Sequence, residues 1–389
     1  MTANAPTLLP AWRNPRWYAL TCFACGREHP IDEIQSVCAA CGLPLRVDLD
    51  LSSPPSPPSP STLAGRPSSL WRYAEALPVA AAHAVTLCEG WTPLVEVGAA
   101  TFVKDEARNP TGSFKARGMT MAVSAAKALG VAALRAPSAG NAAGALAAYG
   151  AAAGLPVIVA MPEDTPRAFV EECRLYGAEV KLVAGTIADA GKWLREHGPG
   201  EAFDLSTLRE PHRIEGKKTM GYELWEQMGG ELPDVVTYPT GGGTGLIGMW
   251  KAWRELAELG WIASGAKVPR MVSVQAVGCA PVARAFASGA EKTEPFPSPE
   301  TRAWGLRVPS PLGGFLCLRA VRETGGTAVT VSEAAMEEAT RALARRSGLD
   351  ICPEGGAAWA ATEELRARGW IRAGETVVVF NTGTGLKYR

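Results

Sequence analysis

DVVTYPTGGGTGLIGMWKAWREL, residues 234–256, reads as a buried strand, a glycine turn and a helix in immediate succession. The strand is apolar throughout, as expected where a parallel sheet is covered by helices on both faces. A glycine run at a helix start exposes backbone amides, so Gly241, Gly242, Gly243, Thr244 and Gly245 form an anion site that suits a phosphate. No Lys-Ser or Lys-Thr follows the glycines, which excludes a Walker loop. The spacing is also not that of a dinucleotide fingerprint, and the acidic residue that should follow is absent.

The same alternation extends outward from this stretch. TFVKDE (101–106) precedes a helix expected from about Phe114 to Leu129, and PVIVAM (156–161) precedes one near Pro166 to Tyr176. The helix after the glycines should end near Leu259, and RMVSVQAVG (270–278) and ETVVVFNT (375–382) continue the pattern. The expected fold class is α/β, with parallel-type sheets covered by helices in two domains. The alanine run 142–154 reflects helix packing.

A chain of 389 residues, 47% hydrophobic, 20% charged and of zero formal net charge, fits a globular body with a large core. Nothing in the charge balance points to nucleic acid or a membrane surface. The opening MTANAPTLLPAWRNPRWYAL has no signal-peptide pattern and no stretch is apolar enough to span a bilayer, so a cytoplasmic location is expected. Residues 52–62, SSPPSPPSPST, should be extended and unable to form a ladder or a helix. The expected organisation is an N-terminal module (1–51), a Pro/Ser-rich linker (52–69) and a body (70–389), with a smaller domain at about 115–205 inserted in the larger one.

Within the module, Cys22, Cys25, Cys38 and Cys41 form two C-x2-C pairs, a pattern that can hold one structural zinc ion tetrahedrally. Gly26 and Gly42 suit the turns that point amides at the sulfurs. Four protein ligands leave the metal no open position, hence no catalytic role. The odd total of nine cysteines argues against a disulfide framework.

NPTGSFKARG (109–118) places Lys115 just inside a helix, where the field disfavours its charge and prepares it to attack an aldehyde. Ser138-Ala139-Gly140-Asn141 follows another apolar strand and opens another helix, and its amide side chain can hydrogen-bond a ring hydroxyl.

SFKARG, SAGN, PTGGGTG and TGTGLK stand in the order and approximate spacing of fold type II pyridoxal-phosphate (PLP) enzymes, and together they resemble the threonine synthase family. WRYAEALPV and EGWTPLV, ahead of the lysine, resemble the same family, so the likeness covers nearly the whole chain. It implies that Lys115 carries PLP, that Asn141 bonds the ring hydroxyl, that Gly241 to Gly245 cradle the phosphate, and that Thr382 faces the pyridine nitrogen. Ser138, Ala139 and Gly140 would supply amides to the substrate carboxylate. In STLREPHRIEG (206–216), Arg213 matches the arginine that binds the substrate phosphate. The implied reaction turns O-phospho-L-homoserine and water into L-threonine and phosphate; the implied ligands are a small amino-acid substrate, PLP and zinc, and the expected assembly is a homodimer.

The match departs at Ala116, where the family has aspartate, at Ala142, commonly threonine, and at Thr207 and Leu208, which replace an Asn-Ser pair that helps bind phosphate. Lys217, Lys218 and Arg117 are the cations available to restore charge there. These departures keep open a threonine or serine dehydratase, or a β-replacement enzyme, on the same cofactor. A non-enzymatic zinc-ribbon protein with a PLP-like body is the reading from another class.

Overall fold

The structure, a computed structural model, describes residues 10–51 and 60–389. The N-terminal module is an antiparallel sheet in which β1 (Trp17–Cys22) lies between β2 (Glu28–His29) and β3 (Leu45–Leu49). Alternation along β3 buries Leu45, Val47 and Leu49 and turns Arg46 outward. That buried face does not stop at the module. Trp17, Leu45 and Val47 share one hydrophobic cluster with Ile214, Leu224 and Trp253 of the body, and the Lys251 ammonium donates to the Val47 carbonyl at 2.7 Å.

Residues 52–59 of the expected linker lie outside the described residues. The stretch just after them differs from expectation: Pro60–Leu63 forms a short helical turn, α1. Proline is tolerated in a first helical turn, where its missing N–H has no intrahelical partner. Leu63 then anchors the turn, because its side chain is fully buried and its carbonyl accepts from Arg72 Nη2 at 2.7 Å.

In the body, β4 (Leu94–Gly98) and β5 (Thr101–Asp105) make a hairpin, followed by α2 (Lys115–Ala128). The next segment builds a four-stranded parallel sheet from β6 (Ala133–Pro137), β7 (Val157–Pro162), β8 (Glu179–Val183) and β9 (Ala202–Asp204), in the order β8-β7-β6-β9. Its helices are α3 (Asn141–Ala153), α4 (Arg167–Leu175) and α5 (Ile187–His197).

The chain returns through α6 (His212–Gln227) to β10 (Val235–Pro239), α7 (Thr244–Glu258), β11 (Arg270–Ala276), α8 (Pro281–Ala287), α9 (Gly314–Glu323) and β12 (Thr327–Val331). Helices α10 (Glu333–Ser347) and α11 (Pro353–Ala367) and strand β13 (Val377–Asn381) complete a six-stranded sheet of order β12-β11-β10-β13-β5-β4. Its central strands β10 and β13 are buried at every residue, which is why they read as unbroken apolar runs. The sheet is parallel except at its edge, where β4 runs antiparallel to β5.

Helices α2 and α6 pack against each other because glycine occurs at the crossing. A Cβ on Gly216 would lie 1.7 Å from the Arg117 carbonyl oxygen. Below that crossing Arg117 bridges Glu106 (2.6 Å) and Glu223, and Lys104 meets Glu223 at 2.7 Å, all fully buried. No helix among the described residues is long and apolar enough to cross a membrane.

Candidate active site

Lys115 is the first residue of α2, and its backbone N–H donates to the Ser113 hydroxyl at 3.4 Å. The turn before it is stapled to the C-terminal loop. Ser113 pairs with Gly383, Phe114 N–H donates to Thr382 O at 3.1 Å, and Thr384 N–H to Gly112 O at 2.8 Å. This staple brings Thr382, from the far end of the chain, beside the lysine. Its hydroxyl is 3.8 Å from the Cys352 thiol, which caps α11. Asn141 opens α3, and its Nδ2 lies 3.3 Å from where a Cβ on Gly383 would stand, so it belongs to the same cluster.

One group here was missed from the sequence. The Lys387 ammonium donates to Thr111 O (2.7 Å), Asn141 Oδ1 (3.1 Å) and both Glu172 carboxylate oxygens (2.7 Å each). With its oxygen turned to a cation, the Asn141 amide presents its N–H donors on the other side. Lys387 lies in the TGTGLK run, so its motif was visible; Glu172 gave no signal, being an ordinary acidic residue on an amphipathic helix.

The glycine loop runs from β10 into α7, with Thr244 as the first helical residue and Gly243 at φ +81°, a left-handed conformation that disfavours any side chain. Space is equally restrictive. A Cβ would come within 2.1 Å of Gly305 O at Gly241, 2.6 Å of Thr207 Cγ2 at Gly242, 2.1 Å of Cys317 Sγ at Gly243 and 1.9 Å of the Tyr238 hydroxyl at Gly245. Tyr238 meets Phe114 edge-on at 6.1 Å, joining this loop to the lysine turn.

The turn Ser138-Ala139-Gly140 links β6 to α3. Ser138 N–H is already committed to Ala160 O at 3.0 Å, and within the turn its hydroxyl donates to Gly140 O at 3.3 Å and accepts the Gly140 N–H at 3.4 Å. Beside Gly140 the space is open, with no heavy atom within 4 Å of an added Cβ.

Burial, helped by nearby Arg213 and opposed by Glu354, brings the Lys115 ammonium down to about 7. The depression was expected, but its cause was assigned to the helix terminus; burial and a second cation dominate. Arg213 donates from Nη1 to Leu205 O at 2.8 Å, while its Nε and Nη2 have no hydrogen-bond partner among the described residues. Glu210 accepts the backbone N–H groups of His212 and Arg213 (2.8 and 3.0 Å), and burial raises it to about 7 against the pull of Arg213.

Of the three cations available to this region, two are engaged elsewhere. Lys218 bridges Glu215 (2.6 Å) and Glu255 (2.8 Å), and Arg117 is held by Glu106 and Glu223. Lys217 alone is turned to Phe114, its ammonium 3.7 Å from the ring centroid, with that of Lys115 4.2 Å from the same centroid.

In the module, the Cys22, Cys25, Cys38 and Cys41 sulfurs all lie within 4.8 Å of one another. Cys22 to Cys41 and Cys25 to Cys38 are 3.5 and 3.6 Å. Tetrahedral zinc with Zn–S bonds of about 2.3 Å needs sulfurs about 3.8 Å apart, so the donors fit that ion. Ala24 and Ala40 N–H groups point at Cys22 and Cys38 sulfurs (3.4 Å each), and Gly26 and Gly42 take the left-handed turns that follow.

The main cluster passes the corresponding test for PLP. It offers an amine brought down to about 7, an amide whose oxygen is held by Lys387, a buried hydroxyl, and a backbone cradle at a helix N-terminus that a Cβ would obstruct.

Comparison with known proteins agrees. A family model described as pyridoxal-phosphate dependent enzyme matches residues 85–383. The threonine synthase of Methanosarcina acetivorans is 36% identical over 379 residues, which covers 95% of this chain and 92% of that protein. The threonine synthase of Methanocaldococcus jannaschii is 35% identical over 376 residues, 94% of this chain and 92% of its own. Maize serine racemase shares the fold, with a TM-score of 0.63 at 23% identity over 76% of this chain and 88% of that one. The chain belongs to the family of pyridoxal-phosphate dependent enzymes and, within it, to the threonine synthases.

Proposed function

We propose that this lyase converts O-phospho-L-homoserine and water to L-threonine and phosphate. The observation that carries the reading is the buried guanidinium of Arg213, whose Nε and Nη2 have no hydrogen-bond partner among the described residues. An amino acid bearing a phosphoester would occupy those donors, as guanidinium forks do in charge-assisted pairs.

In this reading Lys115 attaches the cofactor, Gly241 to Gly245 hold its phosphate, Asn141 donates to its ring hydroxyl, and Thr382 meets its pyridine nitrogen. When bound, PLP stores the electron pairs released by proton removal. The Ala139 amide binds the substrate carboxylate, joined by the Ser138 hydroxyl and the Gly140 amide once these turn from each other to the ligand. Lys115 takes the Cα proton and then moves protons at Cβ, because an amine titrating near neutrality can act both as base and as acid. Arg213 holds the phosphate that departs from Cγ, and water adds at Cβ.

One observation favours a second reading, a dehydratase or β-replacement enzyme. Leu208 is buried with a Cδ1 that would touch a Cβ on Gly313, so it brings no donor to a phosphate. Phosphate release from O-phospho-L-homoserine, measured beside 2-oxobutanoate release from L-threonine, separates the two. Dominant phosphate release supports the synthase, and 2-oxobutanoate alone overturns it. We also infer that the four cysteines hold a structural zinc, and that module, linker and body divide at 1–51, 52–69 and 70–389.

A further inference from the structure

We propose that Lys217 and Arg213 form a two-cation subsite beside Lys115, in which Lys217 is the second ligand for the substrate's phosphate dianion; this deepens the synthase reading and rests on it. The two residues are one turn apart on α6, so their side chains leave the same face. That face meets the first turn of α2 at Gly118, where an added Cβ would lie 2.8 Å from Lys217 Cε and 3.3 Å from Arg213 Cβ. Gly118 is itself three residues after Lys115, which puts all three cations along one contact between α2 and α6.

Lys217 is fully buried, and its ammonium has no hydrogen-bond partner among the described residues. The Phe114 ring supports its charge only in part. The neighbouring carboxylate, Glu210, is occupied by the backbone N–H groups of His212 and Arg213. A buried guanidinium and a buried lysine amine, with free donors and no carboxylate bonded to either side chain among the described residues, are unfavourable to keep unless an anion arrives. A phosphoester, carrying close to two charges at neutral pH, matches two cations. Cofactor phosphate is provided for at the glycine loop, on α7. Position 217 also compensates for Thr207 and Leu208, which have taken the place of amide and hydroxyl donors on the segment leading into α6.

Burial holds Lys217 well below the ordinary lysine value; Lys115 and Arg213 add to this, while Glu106 and Glu210 oppose it. An incoming dianion reverses the balance, so binding should draw in a proton.

The test uses the holoenzyme, with inorganic phosphate as probe and O-phospho-L-homoserine as substrate. In Lys217→Gln, the inhibition constant of phosphate and the KM should each rise about tenfold to a hundredfold, the range for a lost hydrogen bond between charged groups, with the cofactor absorbance band retained. Both constants unchanged with that band intact would overturn the proposal. Lys217→Met repeats the test with a chain of similar length. Wild-type protein supplies an independent measurement: phosphate binding followed calorimetrically at pH 8 in two buffers of different ionisation heat should show proton uptake, and none means that Lys217 is not a ligand. A wild-type enzyme that binds phosphate with proton uptake yet releases none from O-phospho-L-homoserine would instead sink the synthase reading and leave the subsite standing.

Discussion

With its ammonium brought down to about 7 by burial and by Arg213, Lys115 loses its proton near neutrality instead of far above it. The reactive form of a lysine is the amine, so the rate at which apoenzyme develops the PLP absorbance band should climb to about pH 7 and then level off. A rate still rising past pH 9 would mean an ordinary lysine, and Lys115→Ala should form no band at all. Arg213 carries the second prediction at this scale. Arg213→Lys keeps the charge but loses the fork, so kcat/KM for the phosphoester should fall roughly tenfold to a thousandfold, at about 1.4 kcal/mol per tenfold. Elimination from an unphosphorylated amino acid should change far less; equal losses on both would make Arg213 a support of the fold. Sequence reading found both residues. It could not find that Lys217 and its neighbour Lys218 part ways, because successive helix positions differ by about 100° and only packing shows which one meets the site and which is bridged by acids.

The α2–α6 crossing carries both the lysine and the arginine, and it stands on the buried network of Arg117, Glu106, Glu223 and Lys104. Burial alone would raise Glu223, but Arg117 and Lys104 override it and hold its carboxyl down at about 2. A carboxyl depressed in this way adds stability that is present above its ordinary value of 4.5 and is lost as pH falls through about 2. Glu223→Ala would leave Lys104 without its carboxylate and Arg117 with one of two, so unfolding in urea should show a loss of about 3–5 kcal/mol. A loss under 1 kcal/mol would show that the crossing rests on packing alone. Elements of this kind were legible: the helix expected from Phe114 to Leu129 is α2 within a residue, and every apolar run singled out became a strand. What escaped notice were long-range ties. The staple between Ser113 and Gly383, and Lys387 on Asn141, join segments whose local patterns do not refer to one another.

Across the whole molecule, the gathering of the four cysteine sulfurs was readable from their short spacing, whereas the docking of the module was not. A proline-rich stretch suggests separation, yet Trp17 stacks edge-on against His212 at 5.4 Å, one residue before Arg213. The module therefore braces the start of α6. Replacing Cys22 and Cys25 by serine should remove one equivalent of zinc and loosen β1 to β3, while the PLP band persists. Metal content unchanged at one equivalent would disprove the four-cysteine site. The central claim, that phosphate leaves from Cγ and water adds at Cβ, is tested most directly by running the holoenzyme on O-phospho-L-homoserine in H2 18O. The account predicts L-threonine with one solvent oxygen in its hydroxyl group and phosphate with none; homoserine with labelled phosphate, or 2-oxobutanoate in place of threonine, would contradict it.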